Sequence, residues 1–115
     1  MKISDVELTE LQFDNKILDI GDVAMDTIVN VEYKFKNTGS ANLKIEYVNP
    51  DCTCTGYDFT RNEIFPGEYG YVNLSFNTRD KFGIQELYAV VKANTSVKFY
   101  RLKLKLNINS IEENI

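Results

Sequence analysis

Two thiols stand either side of one residue in Cys52-Thr53-Cys54-Thr55, and the chain has no other cysteine. A pair at this spacing can do three things. It can close as a disulfide around a very small ring, a bridge that restricts few residues and so adds little by entropy. It can bind a soft ion such as Cu(I) as paired thiolates. It can also stay reduced, with one or both sulfurs buried as small hydrophobes. Cys52 and Cys54 are therefore the candidates both for a disulfide and for a metal. A structural role is favoured over redox exchange, because no helix N-terminus, histidine or C-x-x-C spacing is present to depress a thiol pKa.

The chain contains no histidine at all. That removes Ser-His and Cys-His nucleophile pairs, Cys₂His₂ zinc sites and any imidazole general base. Carboxylates are plentiful, yet none has an acid/base or metal-ligand spacing, and there is no phosphate-cradling glycine loop. Asp19 with Asp22 reads as turn solvation, and Glu112 with Glu113 as tail solvation. No catalytic residue, cofactor or enzymatic activity is expected.

The elements that must position these groups are strands. The 115 residues suffice for one domain with one core. A hydrophobic fraction of 43%, with seven Phe and seven Tyr, argues against disorder. Net charge is −4, which argues against general nucleic-acid binding. No apolar run is long enough to span a membrane. Met1 to Glu7 has no signal-peptide character, which leaves a cytoplasmic protein or the mature part of an exported one.

Residues 1–10 read as an arm or ragged first strand, and Leu11 and Phe13 as a short edge strand. Gly21-Asp22 marks a bend or a switch of sheets. From Ile28 to Lys36 the alternation is clean, with Val29, Val31, Tyr33 and Phe35 on one face and Asn30, Glu32, Lys34 and Lys36 on the other. Asn37-Thr38-Gly39-Ser40 is a turn in which Gly39 can take positive φ. Leu43, Ile45 and Tyr47 form the inward face of its partner strand, which Pro50 stops. Pro66-Gly67 suits a type II turn. Val72, Leu74 and Phe76, then Leu87, Ala89 and Val91, then Leu102, Leu104, Leu106 and Ile108 are three further inward faces. Residues 109–115 are a frayed acidic tail. This predicts one domain over 1–115, an all-β immunoglobulin-like sandwich of about seven antiparallel strands with no significant helix.

The landmarks Phe35-Lys36-Asn37-Thr38-Gly39, Leu43, Ile45, Cys52-x-Cys54-Thr55, Pro66-Gly67 and Val72-x-Leu74-x-Phe76 resemble a family of bacterial domains of unknown function. That family is common in Bacteroidetes and carries an N-T-G, C-G-C-T, P-G signature. It is similar in turn to the Hydin-type and major-sperm-protein-like immunoglobulin sandwiches. The likeness covers roughly Ile17 to Ile108, with Thr53 standing where the family has glycine. It implies a seven-stranded sandwich, export to the periplasm or cell surface, usually lipoprotein anchoring, and no established activity.

Other residues offer contact surfaces. Lys34 and Lys36 are expected to lie near Arg101, Lys103 and Lys105 as a basic stripe for an anionic partner. The alternative is that these lysines guard edge strands against pairing. Tyr57, Phe59, Phe65 and Tyr69 cluster in sequence, and Tyr71 and Tyr88 project outward. They form either a binding patch or plugs for the end of the sandwich. Asn73-Leu74-Ser75 and Asn94-Thr95-Ser96 match the N-glycosylation sequon by chance, and Asp26-Thr27-Ile28 matches a short O-glycosylation pattern of exported proteins.

The leading reading is a non-enzymatic binding module of the bacterial cell envelope, in the periplasm or at the cell surface, with a protein or glycan partner. Membrane association would come only through a lipid anchor outside this sequence. The alternatives are a thiol-redox or Cu(I) protein using Cys52 and Cys54, and a cytoplasmic scaffold of the sperm-protein type.

Overall fold

Period-two alternation becomes eight strands in the computed structural model, which describes residues 7–109. They are β1 (Leu11–Phe13), β2 (Ile17–Ala24), β3 (Ile28–Asn37), β4 (Ile45–Pro50), β5 (Thr55–Phe59), β6 (Tyr69–Asn77), β7 (Gly83–Ala93) and β8 (Tyr100–Asn109). Two four-stranded sheets, ordered β1-β3-β6-β5 and β2-β8-β7-β4, face each other. There is no helix among the described residues. The first residues of the arm and the tail beyond Asn109, both sequence-level expectations, fall outside that range.

The core is made by the inward sets of the inner strands. Tyr33 and Phe35 of β3, Val72, Leu74 and Phe76 of β6, Ala89 and Val91 of β7, and Leu102, Leu104 and Leu106 of β8 are all buried. Val29 and Val31 are only half-buried, so the weight of β3 in the core falls on its two aromatics. Phe13 meets the rings of Phe35 and Tyr100 edge-on, at 5.4 and 5.8 Å between centroids. The Tyr33 hydroxyl crosses the sandwich to donate to the Lys103 carbonyl at 2.7 Å.

Three expectations are corrected. Eight strands among the described residues agree with the expected seven or so, but not all are antiparallel: Ile17–Ala24, bulged between Asp19 and Asp22, runs parallel to β8. β3 and β4 are not partners: β3 pairs with β1 and β6, and β4 pairs with β7 in the other sheet. Asn37–Asn42 is thus a crossover between layers. Tyr47 points outward, because a register shift between Ile45 and Tyr47 puts Val48 inward in its place. Pro50 is the last residue of β4, which ends there as expected of a residue with no amide to donate.

Asn37 explains the crossover. It is fully buried. Its Nδ2 donates to the carbonyls of Ala41 and Ile64, each at 2.8 Å. Its Oδ1 accepts from Thr9 Oγ1 at 2.9 Å and from the Gly39 amide at 3.0 Å. That uses both donors and both lone pairs of the side chain. Gly39 serves this hub by absence of bulk, not by positive φ: a Cβ there would run into Thr9 Oγ1 and would sit 2.5 Å from the Glu10 amide. Gly67 does take φ of 88°. With Glu68 N donating to Phe65 O at 2.9 Å it closes the expected type II turn.

Candidate functional site

The cysteines lie in the turn from β4 to β5, strands at the edges of opposite sheets. Cys52 and Cys54 are joined as a disulfide with Cα atoms 5.1 Å apart. The backbone there is a turn, with Thr55 N donating to Cys52 O at 3.0 Å and Cys54 N donating to Cys52 Sγ at 3.2 Å. Both residues are half-buried against the cluster of Phe76, Leu87, Leu104, Leu106 and Ile108. Among the described residues no group of three or more His, Cys, Asp or Glu side chains could hold a metal ion. With its thiols consumed in the bond, the pair is a clasp over one end of the core.

The basic residues do not form one stripe. Lys34 and Lys36 lie on β3, and Arg101, Lys103 and Lys105 lie on β8 in the other sheet, so the two groups point away from each other across the sandwich. Nor does β8 guard an edge, because it sits between β2 and β7. Each group has its own tyrosine. Lys34 and Lys36 Nζ lie 4.5 and 5.7 Å from the Tyr69 ring centroid. The Arg101 guanidinium and Lys103 Nζ lie 4.2 and 5.8 Å from that of Tyr88. Such contacts hold an exposed ring in one pose.

The aromatic candidates also separate. Phe59 is buried and belongs to the core, with the Arg61 guanidinium over its ring at 3.9 Å. Tyr57, Phe65 and Tyr69 are about half exposed. Of the sequons, Asn94 is buried, its Nδ2 donating to the Glu7 and Asn42 carbonyls and its Oδ1 accepting from Lys44 N. An amide so engaged is no glycan acceptor.

The two outer faces differ in what their polar groups do. On the β2-β8-β7-β4 face, Lys103 pairs with Glu86 at 3.6 Å and Lys92 with Glu46 at 3.7 Å, and Asn107 donates to Asp22. On the β1-β3-β6-β5 face, three depressions run in series. The first lies among Gln12, Asp14, Lys36 and Tyr69; the second among Glu32, Lys34, Tyr69 and Tyr71; the third among Asn30, Glu32, Asp58, Asn73 and Ser75. Consecutive depressions share Tyr69 and then Glu32. The third is a trough because Asn73 and Ser75 on β6 are short, and Gly56 of β5, opposite Ser75, has no side chain to fill it.

The Arg61 guanidinium, 3.2 Å from Asp58, together with the Phe59 amide, holds the Asp58 carboxyl below the usual carboxylate range. Asp58 is therefore charged at the trough's edge. Asn73 Oδ1 has no hydrogen-bond partner. Of these residues, Lys34, Lys36, Tyr57 and Tyr69 stood out in the sequence as a contact surface. Gln12, Asn30, Glu32, Asp58, Asn73 and Ser75 did not, because outward polar residues on a strand are what ordinary solvation also produces.

The family model described as "Protein of unknown function (DUF1573)" matches residues 11–108. No curated protein matches. Among solved structures, the fold is similar to a protein of unknown function from Porphyromonas gingivalis W83 at TM-score 0.75 and 14% identity, covering 91% of this chain and 49% of that one. The chain thus spans about half the length of that relative. It is similar to the ASH / PapD-like domain 7 of human CEP192 at TM-score 0.72 and 11% identity, covering 91% and 89%. It is also similar to part of the secreted serine protease VesC from Vibrio cholerae, at TM-score 0.63 and 13% identity, covering 91% and 24%. At such identities these likenesses establish the immunoglobulin-like, PapD-like sandwich and no activity. The chain belongs to the DUF1573 family.

Proposed function

We propose that this member of the DUF1573 family is a non-enzymatic interaction module of the bacterial cell envelope, meeting its partner through the outer face of the β1-β3-β6-β5 sheet. One observation carries the choice of face. Tyr69 stands about half exposed between two lysines, beside depressions whose polar side chains form no ion pairs with one another. On the opposite face Lys92 pairs with Glu46 and Lys103 with Glu86. An exposed aromatic held among unpaired polar groups is the composition of a recognition surface.

Export is supported by the Cys52–Cys54 disulfide, since such bonds persist in oxidising compartments such as the periplasm and are rare in a reducing cytosol. The N-T-G, C-x-C-T and P-G landmarks of the sequence agree with that placement. No helix among the described residues is long and apolar enough to cross a membrane.

The test is paired photo-cross-linking in intact cells, with a photoreactive phenylalanine analogue at Tyr71 or at Tyr88. A mass-shifted adduct from Tyr71 alone is expected. Adducts from Tyr88 alone, or equally from both positions, would place the contact elsewhere.

A further inference from the structure

The three depressions also define what kind of ligand this face takes. They measure about 340, 270 and 440 Å³, each near the lower end of small-molecule sites. They follow one another along the paired strands β3 and β6, from Lys36 and Tyr69 to Asn30 and Ser75, about 20 Å at the usual rise per residue, with β1 bordering the first and β5 the last. A long, shallow, segmented track fits an extended chain of repeating units better than one compact molecule.

Charge narrows the class. Every depression holds both a carboxylate and a donor. Asp14 stands with Lys36 and Gln12, Glu32 with Lys34, and Glu32 and Asp58 with the amides of Asn30 and Asn73. Within each depression the carboxylates and lysines form no salt bridge among the described residues. A phosphate- or sulfate-bearing chain would meet a carboxylate at every step, an arrangement that costs binding. An apolar peptide would find no deep anchor pocket, which interface hot spots require. A hydroxyl, which both donates and accepts, satisfies a carboxylate and an ammonium or amide together.

We infer that the outer face of the β1-β3-β6-β5 sheet binds a neutral, unbranched polysaccharide, with about three sugar units lying along the three depressions. Tyr69, shared by two of them, packs against a sugar ring. Glu32, shared by the second and third, accepts from hydroxyls of consecutive units. Asn30, Ser75 and Asp58 bound the last position, and Ser75 Oγ already donates to Asn30 Oδ1 at 2.6 Å, which orients that amide. The inference rests on the proposed interaction role of this face and names its ligand.

Affinity electrophoresis tests it on the whole chain, in gels containing hydroxyethylcellulose, glucomannan, xylan or laminarin as neutral polymers, and polygalacturonate or hyaluronate as anionic ones. Retardation is expected in at least one neutral gel and in neither anionic gel. Tyr69→Ala and Glu32→Gln should each weaken it at least tenfold, with Tyr88→Ala unchanged. Both substituted side chains are at the surface, so the fold should survive and circular dichroism can check it. Affinity for neutral oligosaccharides should rise up to about three units and then level off. No retardation in any neutral gel, retardation by the anionic polymers alone, or equal loss with Tyr88→Ala would overturn the inference. The cross-linking experiment reads separately: a Tyr71 adduct that proves to be protein would keep the interaction face and remove the glycan.

Discussion

Asn37 and Asn73 sit on neighbouring strands of one sheet and do opposite things. Asn37 is buried where β3 leaves for the other layer, and its side chain makes four hydrogen bonds, to Thr9, Gly39, Ala41 and Ile64. Asn73 lies on the outer face of β6, lines a trough, and leaves its Oδ1 unpartnered. Around Asn37, polar groups satisfy each other and hold the arm, the crossover and the Pro66-Gly67 turn together. Around Asn73 they do not: its Oδ1 is closed off from solvent without a partner, while Ser75 donates to Asn30 and Arg61 pairs with Asp58 nearby. The difference separates a polar side chain that ties the fold together from one that does not, and residue type alone cannot make that distinction.

Substitution should sharpen it. Asn37→Ala removes four bonds and leaves buried partners unsatisfied, so a loss of about 3–5 kcal/mol is expected in urea unfolding. A loss below about 1 kcal/mol would mean the hub is replaceable by water. Reducing the disulfide, or Cys52→Ser with Cys54→Ser, should cost only about 1.5 kcal/mol, because the closed loop is so short. Mass spectrometry after alkylation with and without reductant checks the bond itself; two labelled thiols in the unreduced protein would refute it.

Tyr33→Phe should cost about 1 kcal/mol at neutral pH through loss of the bond to Lys103 O. Burial raises the Tyr33 hydroxyl well above its ordinary 10.0, and burial also raises Tyr100. The folded state therefore keeps protons that the unfolded chain releases. Stability from this source is complete below pH 10 and falls as pH climbs further, by up to about 1.4 kcal/mol per pH unit for each tyrosine. Tyr33→Phe should flatten that alkaline limb. The smallest effect belongs to the other asparagine: Asn73→Ala should change stability by no more than about 0.5 kcal/mol. A cost comparable to that of Asn37→Ala would erase the contrast.

Much of the fold was legible in the sequence. Alternation told which side chains of β3, β6, β7 and β8 face inward, since side-chain period and burial coincide on a half-exposed sheet. It could not tell which sheet a strand joins. The Asn37–Asn42 connection reads as a hairpin until the buried Asn37 amide is seen tying it to Thr9 and Ile64, contacts 28 and 27 residues away. The parallel pairing of β2 with β8 is equally non-local. One register shift was enough to turn Tyr47 out and Val48 in.

The site was less legible, for the same reason. Lys34 and Lys36 are far from Arg101, Lys103 and Lys105 because outwardness on two strands does not mean the same outside. Phe59 is core although its neighbour Tyr57 is not. The polar residues that line the depressions became visible only when β1, β3, β6 and β5 were placed side by side.

Amide chemical-shift mapping with cellotetraose and with mannotetraose tests the central claim most directly, because it reads both outer faces in one sample. With at least one of them, shifts are predicted at Asn30–Lys36, Gly56–Asp58 and Tyr69–Ser75, with Tyr88, Arg101–Lys105 and the Cys52–Cys54 turn unmoved. No shift with either sugar, or shifts centred on Tyr88 and Arg101, would contradict it.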